Sequence, residues 1–254
     1  MRSKLVFVAV AWLIPCALNV ARAQLVTFET TPGGGTPVDD ATLAAPYNFA
    51  GGSVQFFFDT NGNKRFDAAT DVLPVFEHIG RETNNGFQST FTGVSDTARP
   101  GYTAELGTYF LRQPSPVGAL PGPFIAHYTT LAPIRELSGE IWDIDGTVPS
   151  DYEQWRVDVL DGAGDVLASE LSPRGAGNDA ASLDSLPWVF QFTDLPDDVS
   201  AVQTTYVGTK SGVGLAFNNF SPDVAVPEPG GAAAVAAALL LTALLRRNRV
   251  LQRF

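Results

Sequence analysis

Short runs of alternating apolar and polar residues recur through the middle of the chain, between clusters of glycine, proline, asparagine and aspartate. Such alternation is typical of β-strands, and no sustained period of 3.6 residues favours helices there. Strands are predicted at residues 25–29, 54–58, 87–94, 108–112, 124–130, 138–144, 155–161, 165–171, 188–194, 202–208 and 213–220. This number of strands predicts an all-β fold, an antiparallel two-sheet β-sandwich.

The clearest single element is a hairpin over residues 155–171. Trp155, Val157 and Val159 alternate with polar or outward positions, and the turn sequence 161–164 is Asp-Gly-Ala-Gly. In the segment 138–144 the same alternation places Trp142 and Ile144 on one strand face, which we expect to point inward.

The two ends of the chain differ from this middle. Residues 1–23 begin with Arg2 and Lys4, continue with an apolar stretch that ends near Leu18, and finish with the small-residue pattern at 21–23. This order predicts a secretory signal peptide that signal peptidase cleaves after Ala23. The alternatives are an uncleaved N-terminal anchor and, as a minor one, lipidation of Cys16.

At the other end, Val226, Pro227, Glu228 and Pro229 precede the apolar residues 230–245 and an arginine-rich tail at 246–254. The apolar residues predict a short membrane helix, and the basic flank predicts a cytoplasmic C-terminus. This combination resembles the PEP-CTERM sorting signals of Gram-negative bacteria, over residues 225–254. The resemblance implies transient anchoring in the inner membrane and cleavage near the motif by an exosortase, a membrane protease. An ordinary anchor that is never cut is the alternative.

The body between the signals, residues 24–224, also resembles secreted PEP-CTERM proteins in scattered segments. Residues 216–220, AFNNF, resemble the last strand of jelly-roll domains in carbohydrate-binding modules. The resemblance therefore implies a jelly-roll-like sandwich. Through the family's link with exopolysaccharide-producing bacteria, it also implies a place in the cell envelope, on the outer surface or in the extracellular matrix.

The charge of this middle part excludes some partners. Residues 24–226 contain nine basic and 26 acidic residues, a net formal charge of −17. Such a body repels phosphate backbones, so we expect no nucleic-acid partner. The only cysteine, Cys16, lies in the predicted signal peptide, so no disulfide is expected to brace the body.

The most informative internal stretch, residues 59–71, reads DTNGNKRFDAATD. Its spacing resembles the calcium loops of EF-hands, dockerins and thrombospondin repeats. Six ligands are expected: Asp59, Asn61, Asn63, the Arg65 carbonyl, Asp67 and Asp71. Lys64 stands where such loops carry glycine, and no glutamate stands at the twelfth position. The alternative is a metal-free hairpin turn at Asn61-Gly62.

Two further sites are possible. Jelly-roll modules often carry an ion between their first and last strands, which here would join Glu29 to Asn218 or Asn219; the alternative is surface polar residues that close the sandwich. Exposed Trp142, Trp155 and Trp188 would form a carbohydrate-stacking platform, although burial in the core is the alternative for at least two of them.

Catalysis has little support in the sequence. The chain lacks the nucleophile-elbow, zinc-protease and phosphate-loop motifs, and Glu140 and Asp143 lie on opposite faces of a strand. We therefore expect a non-enzymatic, calcium-braced envelope or matrix protein associated with exopolysaccharide. A carbohydrate-binding module or adhesin is the first alternative, and a secreted polysaccharide hydrolase is the second.

Overall fold

Two antiparallel β-sheets make up most of the regular structure, as the alternating pattern predicts. The computed structural model describes residues 25–80, 86–88, 92–115, 120–147, 151–175, 183–211, 213–214 and 216–224. The predicted signal peptide and the predicted sorting signal, with Val226, Pro227, Glu228 and Pro229, lie outside the described residues. Among the residues that are described, no helix is long and apolar enough to span a membrane.

Within the described residues the strands are, in chain order, β1 (Tyr47–Phe49), β2 (Gly52–Phe58), β3 (Val75–His78), β4 (Tyr109–Arg112), β5 (Phe124–Thr130), β6 (Ile134–Trp142), β7 (Gly146–Thr147), β8 (Asp151–Tyr152), β9 (Trp155–Asp161), β10 (Val166–Leu171), β11 (Pro187–Phe192), β12 (Val199–Tyr206) and β13 (Ala216–Val224). One helical turn, α1 (Thr103–Leu106), precedes β4.

One sheet has the order β1-β2-β5-β12-β9-β10 and the other β11-β6-β13-β4-β3, while β7 and β8 pair with each other. The predicted hairpin is confirmed as β9 and β10. The predicted strand at 25–29 contributes one bridge, Val26 to Phe220, and the described part of 87–94 contributes one bridge from Gln88 to Ser95. Neither segment forms a strand of the two sheets within the described residues.

Phenylalanine rings fill the space between the two sheets. Phe124 of β5 stacks on Phe217 of β13 with ring centroids 4.0 Å apart, and Phe56 and Phe220 pack beside them. All four side chains are fully buried. Burial of one such ring contributes roughly 1.5–3 kcal/mol, so this cluster is a principal source of stability.

Trp142 does not lie in this core, contrary to the expectation that it points inward with Ile144. It belongs to a smaller cluster on the outer face of the five-stranded sheet, with Phe87, Leu106 and Phe110. Strand β6 ends at Trp142, and Asp143 has a φ of 66°, in the left-handed region. That turn breaks the alternation, so Ile144 reaches the main core while Trp142 faces the other side.

A buried guanidinium ties the edge of the five-stranded sheet together. Arg112 of β4 is 1% exposed, and its Nε donates to Glu77 Oε2 on β3 at 2.5 Å. Its Nη2 donates to the carboxylate of Asp40, which lies in the segment before β1. Burial raises the pKa of Glu77, and the Arg112 charge opposes that rise.

Arg112→Met is expected to lower the free energy of unfolding by about 3–5 kcal/mol, because Glu77 is left buried without its cationic partner. Arg135→Met is the control, since the ion pair of Arg135 with Asp197 is largely exposed and is expected to contribute less than about 1 kcal/mol. Urea unfolding of the two variants measures the difference. Equal losses would show that the buried pair has no special weight.

Candidate functional site

The Asp59 loop, residues 59–71, is a long excursion from the six-stranded sheet. Phe58 and Val72 pair across its base through two backbone hydrogen bonds of 2.7 and 3.2 Å. Asn61 and Gly62 lie well inside the excursion. They therefore do not form the two-residue hairpin turn that was the metal-free alternative, since that turn would need paired strand residues directly beside it.

Side-chain oxygens shape the first half of this loop. The buried Asp59 carboxylate accepts the Gly62 N–H at one oxygen and the Lys64 N–H at the other, at 2.8 and 2.9 Å. Asn61 Oδ1 accepts the Asn63 N–H at 2.9 Å. In each case one N–H occupies one lone pair of the oxygen, so a second lone pair remains.

The second half of the loop follows the same rule. Asn63 Oδ1 accepts the Arg65 N–H at 2.8 Å, and Asp67 Oδ1 accepts the Ala69 N–H at 2.9 Å. The Asp71 carboxylate closes the loop, with one oxygen on the Thr60 N–H at 3.2 Å and the other on the Asp67 N–H at 2.7 Å. Asp71, one place after the twelfth position, thus closes the loop through these two hydrogen bonds.

Lys64 stands at the sixth position of the loop, where calcium loops carry glycine, yet its backbone adopts the conformation of that glycine. Its φ is 61°, in the left-handed region that glycine adopts most readily. Calcium loops of the EF-hand type place glycine at this sixth position to make a sharp turn. The chain here makes a left-handed turn at the same position with a lysine.

The Asp59 loop packs on the outer face of the six-stranded sheet. Phe66 contacts Phe57 of β2 with ring centroids 5.5 Å apart. Lys64 Nζ donates to Gly164 O at 2.5 Å, and Arg65 Nη2 donates to Gly162 O at 3.2 Å. The loop thus joins β2 to the turn between β9 and β10.

The Asp59 loop offers oxygen atoms, which hard cations such as calcium prefer, but few of them are carboxylates placed close together. Within the described ranges, no group of three or more aspartate, glutamate, histidine or cysteine side chains is placed to hold a metal. A calcium ion here would therefore need the amide and carbonyl oxygens of Asn61, Asn63 and Arg65 beside the aspartates. Calcium accepts such mixed oxygen sets.

The three candidate tryptophans are all buried, which corrects the expectation of a stacking platform. Trp142, Trp155 and Trp188 are 0%, 1% and 9% exposed. Trp155 and Trp188 lie in the main core and Trp142 lies in the smaller cluster. A sugar ring needs an accessible aromatic face, and these three rings present none.

A second candidate site is a cleft of about 340 Å³ on the outer face of the five-stranded sheet. We call it the glutamate cleft; its lining is Leu25, Thr27, Glu29, Ala104, Glu105, Gly107, Ser138, Glu140, Val189, Asn218 and Asn219. Glu29 and the two asparagines thus line one cleft, as the jelly-roll resemblance implied. Glu105 was not predicted, because the single helical turn that carries it has no distinctive sequence pattern.

Glu140 forms the floor of the glutamate cleft. Its Oε2 accepts Trp142 Nε1–H at 2.9 Å and Asn219 Nδ2–H at 2.8 Å. Burial raises the pKa of Glu140 to about 7; the hydrogen bonds from Asn219 and Trp142 oppose this rise, and the charge of Glu105 adds to it.

The pair Glu105 and Glu140 bears on catalysis, because glycosidases carry two carboxyl groups separated by roughly 5 to 10 Å. The Oε2 atom of Glu140 already accepts hydrogen bonds from Trp142 and Asn219. Asp143 is buried and accepts the Ser185 N–H at 2.8 Å, so its carboxylate serves the fold.

Lys64→Gly and Lys64→Ala form a matched pair that isolates the left-handed turn. Both variants lose the hydrogen bond to Gly164, but only glycine removes the steric cost of positive φ. Lys64→Gly is therefore expected to be more stable than Lys64→Ala by about 1 kcal/mol. Thermal or urea unfolding measures the difference, and an alanine variant as stable as the glycine variant would contradict the assigned conformation.

Comparison with known proteins identifies no family for this chain. No protein-family model matches the chain. A search of curated proteins finds no significant match either.

Proposed function

We propose that this chain is an exported, exosortase-sorted and non-enzymatic protein of the cell envelope or extracellular matrix, associated with exopolysaccharide and braced by calcium. In this proposal its body is a jelly-roll-like sandwich. The single structural observation that carries the proposal is the Asp59 loop. Its side-chain oxygens each retain a lone pair, and Lys64 makes the left-handed turn of a calcium loop.

A brace at this loop has a mechanical consequence for the body. The loop covers Phe57 and reaches the β9–β10 turn through Lys64 and Arg65. An ion bound by Asp59, Asn61, Asn63, Arg65, Asp67 and Asp71 would fix this cover on the sheet. Calcium is abundant outside cells in the millimolar range that weak extracellular sites use, which suits a chain without a disulfide in its body.

The terminal segments support the export part of the proposal. Residues 1–23 carry the order of a secretory signal, and Val226, Pro227, Glu228 and Pro229 precede an apolar stretch and a basic tail. The chain would first be held in the inner membrane with its C-terminus in the cytoplasm. An exosortase would then release it toward the outer surface or matrix.

Carbohydrate binding is the second candidate function, and the glutamate cleft favours it over a tryptophan platform. The cleft lies within the size range of about 300–1,000 Å³ that small-ligand sites occupy. A secreted polysaccharide hydrolase is a weaker alternative, because the sequence carries no hydrolase motif.

Millimolar calcium is expected to raise the melting temperature of the purified full-length chain by several degrees. Binding at a concentration of about ten times the dissociation constant adds roughly 1.4 kcal/mol, and 1 kcal/mol corresponds to about 2–4 °C in a domain of this size. Differential scanning calorimetry with and without calcium measures this shift.

Asp67→Asn should reduce the calcium response, because it removes a charge but keeps an oxygen for the Ala69 N–H. Asp161→Asn is the matched control, since Asp161 makes the same kind of turn at residues 161–165 outside the loop. Isothermal titration should show calcium binding to the control and weakened binding to Asp67→Asn. The calcium brace is rejected if the unchanged chain shows neither heat nor a shift in melting temperature.

Mass spectrometry of the mature protein from its native host tests the sorting proposal. We expect an N-terminus at Gln24 and a C-terminus near Pro227, because both signals would be removed. A mature chain that still ends at Phe254 would leave only a membrane anchor and contradict exosortase processing.

A further inference from the structure

The glutamate cleft has two chemically different walls. Leu25 and Val189 are about half exposed and, with Ala104, present apolar surface to the cleft. Glu140 and Asn218 are buried and provide a polar floor. A ligand that fits this lining needs both hydrogen-bonding groups and an apolar face of its own.

The polar floor is fixed in place before any ligand arrives. Asn218 Nδ2 donates to Leu106 O at 2.7 Å, and Asn219 Nδ2 donates to Glu105 O at 2.9 Å. Asn219 and Trp142 also hold Glu140 from two sides. Because these groups are already ordered, a ligand would not have to supply the free energy of ordering them.

The charge of the lining excludes anions. Among the lining residues, three are glutamates and none is a lysine or an arginine. Phosphate, sulfate and uronic-acid groups would therefore meet only like charge and no cationic partner. The ligand is neutral or cationic.

The hydrogen bonds at the cleft argue against a metal ion as the ligand. Glu29 Oε1 accepts both the Thr108 N–H, at 2.6 Å, and the Tyr109 N–H, at 3.2 Å. Glu140 Oε2 likewise accepts two donors. These oxygens have used both lone pairs, unlike those of the Asp59 loop, which each accept one N–H. Among the described residues, the three glutamates of the lining do not form a group that could hold a metal ion.

We propose that the glutamate cleft binds an uncharged sugar residue of an extracellular polysaccharide. Oε2 of Glu29 and Oε1 of Glu140 accept hydrogen bonds from ring hydroxyl groups, and the C–H face of the ring packs on Leu25 and Val189. This inference rests on the proposed association with exopolysaccharide and names the class of glycan. Without an aromatic platform the affinity is weak, so many copies along a polymer are needed for firm attachment.

Isothermal titration and saturation-transfer NMR of the full-length chain test this inference with neutral oligosaccharides of glucose, mannose and galactose. At least one of these series is expected to bind at millimolar concentration, while oligomers of glucuronic acid do not. Glu140→Gln is expected to weaken binding at least tenfold, because the amide replaces one acceptor oxygen by a donor.

Glu136→Gln is the matched control, since Glu136 lies on the same strand, is exposed and is not part of the cleft lining. Ala104→Arg is a second variant, which fills the cleft from the exposed side of α1 without altering the core. It should abolish binding and leave the melting temperature unchanged. This variant keeps the test valid if Glu140→Gln does not fold.

Three outcomes would overturn the inference. They are the absence of binding to every neutral oligosaccharide, binding that both cleft variants leave intact, and binding of calcium that Glu140→Gln abolishes. The proposed function is tested separately, by the calcium response of the Asp59 loop and by the mature C-terminus. If those hold while no neutral sugar binds, only the glycan assignment fails.

Discussion

The packing of phenylalanine rings between the two sheets is the interaction on which the rest of the structure depends. Phe124 and Phe217 come from different sheets and stack at 4.0 Å, and Phe56 and Phe220 extend the same cluster. The body has no cysteine, so no disulfide shares this role. Both candidate sites lie on elements whose positions are set by this core.

Irregular segments cover part of the outer face of each sheet. The Asp59 loop and the glutamate cleft are both formed by such segments together with the strands beneath them. On the six-stranded sheet, Phe57 and Leu160 belong to an apolar cluster on the outer face, beside which the Asp59 loop packs Phe66. On the five-stranded sheet, Phe87 and Leu106 pack on Trp142. Segments of this kind can carry function because they add polar groups to a scaffold that is already rigid.

Two of the few basic residues of this acidic body, Arg112 and Lys210, act as counter-charges to buried carboxyl groups. Arg112 neutralises Glu77, and Lys210 pairs with Asp145 and, at 3.0 Å, with Glu153. Burial raises the pKa of Asp96 to about 7 and that of Glu153 to about 8. Such carboxyl groups favour the folded state when protonated, so their contribution falls as the pH rises from the ordinary carboxyl range through these values.

Much of the fold follows from local pattern. The runs that became β5, β9 and β10 were identifiable because a period of two along a strand is a property of neighbouring residues. Strands β1 and β3, of three and four residues, were not predicted. The position of Trp142 was missed because a single left-handed residue, Asp143, changes which side of the sheet the chain enters next.

By itself the sequence determined the all-β class, the hairpin at 155–171 and the oxygen-rich spacing of residues 59–71, since each depends on residues close together along the chain. Only the tertiary structure decided which side chains are exposed and which carboxyl groups share a cleft. It buried the three tryptophans and placed Glu105 in the same cleft as Glu140. Burial and proximity depend on how distant strands pack, and no local spacing in this chain encodes that packing.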